Sequence, residues 1–140
     1  MSNWLSKSNV SFQIANNESE SLFYNNRVHC QYYGCVQYMY HLMHTVFGLK
    51  VTEISDLSNS KLNPGNGGSH VWLSNYFVTD LRNKAHVFDS LDLNNHLGKL
   101  KKLRTIADYD HDDVEEDDLT NAYDLSQKIQ RILNKRYQHE

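Results

Sequence analysis

A chain of 140 residues holds one domain around one hydrophobic core, which excludes a two-domain enzyme. With 39% hydrophobic and 22% charged residues and a single proline, it is neither a disordered nor a collagen-like chain. The formal charge of −3 conceals a split: eight of the eleven residues from Asp108 to Asp118 are acidic, so the other residues set 14 basic side chains against 9 acidic ones, a balance of +5.

No apolar run approaches the roughly 18 to 20 residues of a membrane span, and the first residues lack the apolar core of a secretory signal. A cytoplasmic protein is the expectation, with delivery into another cell as an effector as the variant. Cys30 and Cys35 would close too small a loop to staple the chain, so both are read as thiols.

In chain order, Val10 to Ile14 alternates like a short strand and Ser21 to Tyr24 suggests a helical turn. From Val36 the apolar residues Val36, Met39, Tyr40, Met43, Val46 and Phe47 fall on one helical face, and Gly48 supplies a stop. Leu49 to Ile54 has the β-branched content of a strand, and Ser58 to Gly68 is a loop with Pro64 and three glycines. His70 to Val78 and Lys84 to Asp89 are aromatic and β-branched, and the polar link between them predicts an antiparallel hairpin. A basic stretch of Lys99, Lys101, Lys102 and Arg104 precedes the acidic run. Ala122, Leu125, Ile129, Ile132 and Leu133 then mark a C-terminal amphipathic helix over about 119–137, with Asp118 or Thr120 as its cap.

Three residues stand where chemistry would need them. Cys35 opens the predicted helix, where unpaired N–H groups and the macrodipole favour a thiolate. His70 opens one strand as general base, and Asp89 ends the next, opposite it, to orient the ring. Gly34-Cys35-Val-Gln-Tyr38, Phe47-Gly48-Leu49, Gly68-Ser-His70-Val-Trp72 and Val87-Phe-Asp89-Ser90 resemble the Cys, His and Asp motifs of transglutaminase-like enzymes within the papain-like group, over about residues 30–92. The resemblance implies an α+β fold, a small papain-like core in which the cysteine helix packs on an antiparallel sheet, as one domain spanning 1–140. It implies Cys35 as nucleophile, His70 as base and Asp89 as orienter. Gln31, four residues before the cysteine, and Tyr33 are candidate oxyanion donors, and Trp72 shares the His70 strand face as a cleft wall.

Competing sites are weaker. His29, Cys30, Cys35, His41 and His44 have the chemistry but not the spacing of a zinc site. Asp108, Asp110 and Asp112 match the start of a calcium loop, but Asp113 and Leu119 stand where Gly and Glu are required. The basic stretch lacks interleaved aromatics and adjoins the acidic run, which argues against nucleic acid. The expected activity is a thiol enzyme with no metal or cofactor, acting on an amide in a protein or peptide substrate through a Cys35 thioester: a peptidase, isopeptidase, glutamine deamidase or acyltransferase. The alternative is a non-enzymatic protein-binding effector or inhibitor module that uses the same fold, with segment 108–118 gripping the partner.

Overall fold

The computed structural model describes residues 3–17, 24–58, 69–109 and 114–137. Among these residues every regular element is an α-helix: α1 (Asn3–Ala15), α2 (Tyr24–Thr45), α3 (Val51–Ser58), α4 (Ser69–Asn83), α5 (Val87–Tyr109) and α6 (Glu116–Tyr137). No strand is present among them, so the expected α+β papain-like fold and its antiparallel sheet are overturned. The predicted loop 58–68 apart from Ser58, which ends α3, and the predicted turn at 21–24 apart from Tyr24, lie outside the described residues.

Helix α2 is the axis of the bundle, with α1, α3, α5 and α6 packed against it. Its length explains the first correction. Residues before Val36 continue the same helix, because Val28, Tyr32, Cys35, Val36, Met39, Leu42 and Met43 form a buried stripe at three- and four-residue intervals. Gly48 ends the helix region as expected, at φ +67°, and Leu49 N–H donates back to Met43 O at 3.1 Å.

Helix α1 replaces the strand expected at Val10–Ile14. The alternating Val10 and Ile14 are 53% and 37% exposed, whereas Ser8 and Ala15 are buried and Leu5 and Phe12 pack against the core at helical spacing. Ser8 Oγ donates to Gly34 O at 2.8 Å across the α1–α2 contact. A Cβ on Gly34 would lie 2.5 Å from a ring carbon of Phe12, so the absence of a side chain there sets how closely the two helices approach.

The expected hairpin is instead two helices. In α4 the core residues are Leu73, Phe77 and Leu81, spaced by four, flanked by Trp72 and Val78. In α5 they are Ser90, Leu93, Leu97, Leu100 and Ala107. The chain reverses not at Thr79–Asn83 but at Lys84–His86, where Ala85 takes φ 65° and His86 N–H donates to Leu81 O at 2.8 Å. Helix α3 likewise replaces the strand expected over Leu49–Ile54, burying Ile54 alone of its first residues.

The C-terminal helix is where the sequence placed it, beginning slightly earlier. Ala122, Ile129, Ile132 and Leu133 are buried and Leu125 packs against the core. Its acidic first turn and basic last turn both complement the macrodipole. Asp118 Oδ2 accepts from Glu115 N–H at 3.2 Å, which satisfies a donor at the helix start. Among the described residues no helix is long and apolar enough to cross a membrane, and no group of His, Cys, Asp or Glu is arranged to hold a metal ion.

Candidate functional site

The three residues expected to form a triad are given separate partners. Cys35 sits in the middle of α2, facing the core with 0% exposure, and its thiol donates to Ser126 Oγ of α6 at 3.7 Å. Burial pushes its pKa up to about 12, only partly offset by the Ser126 bond. The helix-terminal activation expected of it is therefore absent, since the N–H groups around a mid-helix residue are already used by the helix itself.

Asp89 lies in the first turn of α5 and is locked into an ion pair. Arg136 Nε donates to its Oδ2 at 2.6 Å and Lys135 Nζ lies at 3.2 Å. Burial raises its pKa, but the bonds to Arg136 and then Lys135 outweigh this and hold the carboxyl below its usual range. The carboxylate ties α5 to the end of α6 and orients no histidine of α4.

His70 is in the first turn of α4, where its Nδ1 lies 2.9 Å from Tyr32 Oη. Its ring also meets the edge of Tyr33 at 5.5 Å, and the guanidinium of Arg104 covers Tyr32 and Tyr33 at 5.1 and 5.9 Å. Burial, then Arg104 and Lys101, lower its pKa to about 4. Its unfolded value near 6.5 is higher, so the unfolded chain takes up the proton first. The stability that neutral His70 supports is complete above about pH 6.5 and is lost as pH falls from there toward about 4. His41 and His96 shift in the same direction. Urea unfolding should therefore give a stability lower by about 1 to 2 kcal/mol at pH 5 than at pH 7, a figure reduced for solvent screening of the half-buried ring. In His70→Asn the difference should shrink; an identical slope in both proteins would show that His70 does not carry it.

The remaining candidates divide. Tyr33 joins the His70 cluster and also stacks obliquely on His29 at 4.4 Å. Gln31 turns away from it, and its Nε2 donates to Asn16 Oδ1 at 2.7 Å. Trp72 is a core residue, 8% exposed against Tyr40, rather than a wall of an active-site cleft.

What α2, α4 and α5 do enclose is a cleft of about 180 Å³ with Val36, Met39, Leu73 and Leu97 as apolar walls and His70 and Lys101 at its polar end. The solvent face of α5 carries a feature that composition did not signal. Phe88 is 83% exposed, Leu91 53% and Val87 49%, and Ile106 on the same face is 43% exposed. Exposed Lys99 and Lys102 lie between these apolar ends. The helical wheel of α5 holds the signal: with Ser90, Leu93, Leu97 and Leu100 turned inward, Phe88 and Leu91 necessarily point outward. No protein-family model matches the chain, and no curated protein or solved structure matches it either.

Proposed function

We propose that this chain is a non-enzymatic protein-binding module whose docking face is the solvent side of α5, and that its partner presents an acidic, apolar helix. The observation that supports this most is Phe88, an aromatic side chain 83% exposed on a helix that is not free to turn it inward. Asp89 is pinned by Arg136 and Lys135, and Ser90 Oγ donates to Val78 O at 2.9 Å, so the first turn of α5 is fixed in rotation and Phe88 is held out as an anchor. Rigid aromatic anchors beside aliphatic residues are the usual hot spots of protein interfaces, and solvated single domains rarely leave such clusters uncovered. Partner chemistry follows from what lies along the same face. Phe88 and Leu91 call for an apolar stripe, and Lys99 and Lys102, about two to four turns further on, call for carboxylates at the matching distance of about 12 to 21 Å.

The acidic run, expected to grip a partner, has local work in its described part. Asp108 pairs with His29 at 2.8 Å and Arg104 at 3.5 Å, and Asp118 caps α6. Residues 110–113 lie outside the described residues.

The test places a photo-crosslinking amino acid at position 88, at position 102, and at Asn121 on exposed α6 as the control, in cells that make the protein. Positions 88 and 102 should capture one and the same polypeptide, through a segment that is acidic and apolar at helical spacing. Phe88→Ser with Leu91→Ser should weaken capture at 102 by more than about tenfold, and Cys35→Ala should leave it unchanged. Capture of unrelated proteins at 88 and 102, yields no higher than at 121, or crosslinking to a second copy of this chain would each overturn the reading.

A further inference from the structure

A second cavity lies on another side of α2, where the end of α1 meets the first turns of α2 and α6. It measures about 670 Å³ and is lined by Asn16, Tyr24, Arg27, Gln31, Glu116 and Tyr123, among others. Two of its side chains are more than nine-tenths buried and incompletely bonded. Arg27, 9% exposed, donates from Nε to Ala15 O at 2.8 Å. Its two terminal nitrogens have no hydrogen-bond or ion-pair partner among the described residues. Gln31 is 1% exposed, and its Nε2 donates to Asn16 Oδ1, which leaves Oε1 buried without a partner.

A buried carbonyl that accepts nothing is costly, and that loss is recovered when a complementary donor enters, while the terminal nitrogens of Arg27 offer donors to the same ligand. The free edge of Arg27 is a fork of donors that matches a carboxylate. Gln31 Oε1 requires an N–H. Glu116, exposed at the cavity rim at the start of α6, favours a cation there and disfavours a plain anion. Tyr24 and Tyr123, the latter 43% exposed, add aromatic walls. One class of small molecule satisfies all of these at once.

We infer that this cavity binds a zwitterion of α-amino acid to dipeptide size, its carboxylate on Arg27 and its amino or amide N–H groups toward Gln31 and Glu116. The site shares no residue with the α5 face, so either can fail without the other.

The experiment is an NMR titration of the full chain with four probes: L-alanine, L-alanyl-L-alanine, acetate and methylammonium, reading the Arg27 Nε–H and Gln31 side-chain amide resonances. Saturable shifts are expected with alanine or alanyl-alanine at a Kd below about 1 mM, at least about tenfold tighter than with acetate or methylammonium. Arg27→Gln should abolish them. Glu116→Gln, an exposed change that leaves the fold intact, should bring zwitterion affinity down toward that of acetate. The inference is overturned by silence with all four probes, by acetate binding as tightly as the zwitterions, or by shifts that persist in both variants.

Discussion

Phe77→Ala should cost about 3 to 5 kcal/mol of folding stability, a large share of what a domain of this size possesses. Phe77 is 0% exposed, and three other aromatic rings close on it. Tyr137 at the end of α6 meets it edge-on at 5.3 Å and 87°, Phe47 beyond the end of α2 at 5.7 Å and 80°, and Tyr76 at 6.1 Å. Because these rings come from α4, α6 and the segment after α2, no single helix can move to close the void that truncation leaves. Tyr137 is further held by its hydroxyl, which donates to Asp80 Oδ2 at 2.7 Å, so the ring cannot collapse without breaking that bond. Urea unfolding should show a lower midpoint at unchanged slope, and the melting temperature should fall by roughly 10 to 15 °C. Phe88→Ala provides the internal contrast, with an effect within about 0.5 kcal/mol, since its ring is in solvent. Equal losses for the two phenylalanines would contradict the placement of α4 and α5 given above.

The same two phenylalanines show what was legible in the sequence. Where apolar residues repeat cleanly at helical spacing and are bounded by charge or glycine, as in α6 and in the second half of α2, the expectation and the structure agree. Between residues 70 and 89 they part. His-Val-Trp-Leu and Tyr-Phe-Val have strand propensity, yet propensity is a weak prior, and the spacing Leu73, Phe77, Leu81 prevails because it places a continuous stripe against the core. The turn that separates α4 from α5 is built on Ala85 at positive φ, a position where glycine or asparagine would have signalled a break. Helix α5 was obscured by its own composition, since a buried serine at 90 and the lysines after 98 hide the inward leucines. The triad reading depended on the strand assignment: the order Cys35, His70, Asp89 carries geometry only if 70 and 89 face each other on paired strands. Of the site residues, Tyr33 and His70 do come together, and Gln31 proves to be a cavity residue on another side of α2. The signal for that cavity was the pair Arg27 and Gln31, two polar residues four apart on a helix that is otherwise buried there.

Cys35 should be among the least reactive thiols a folded chain can present. A thiol held near pKa 12 is ionised at pH 8 to about one part in ten thousand, against roughly a quarter for an ordinary cysteine near 8.5. The loss of thiolate alone predicts alkylation by iodoacetamide about a thousandfold slower than in the unfolded chain, and 0% exposure removes the access that remains. Labelling then proceeds through opening of the fold, so its rate should rise in parallel with urea or with a destabilising change such as Phe77→Ala. Cys30 is 8% exposed, with its pKa raised first by burial and then by Asp108, and should react sooner. Cys35→Ala should cost only about 1 kcal/mol. It removes one sulfur from the core without stranding its partner, because Ser126 Oγ still accepts from Gln130 Nε2 at 2.9 Å. Mass spectrometry of the two cysteine peptides over a pH series reads all of this. Rapid native-state labelling of Cys35 with a midpoint near neutral pH would restore the nucleophile and contradict the buried placement of its thiol. Protection that tracks global stability is the expected result, and it would mark Cys35 as a packing residue of the α2–α6 contact.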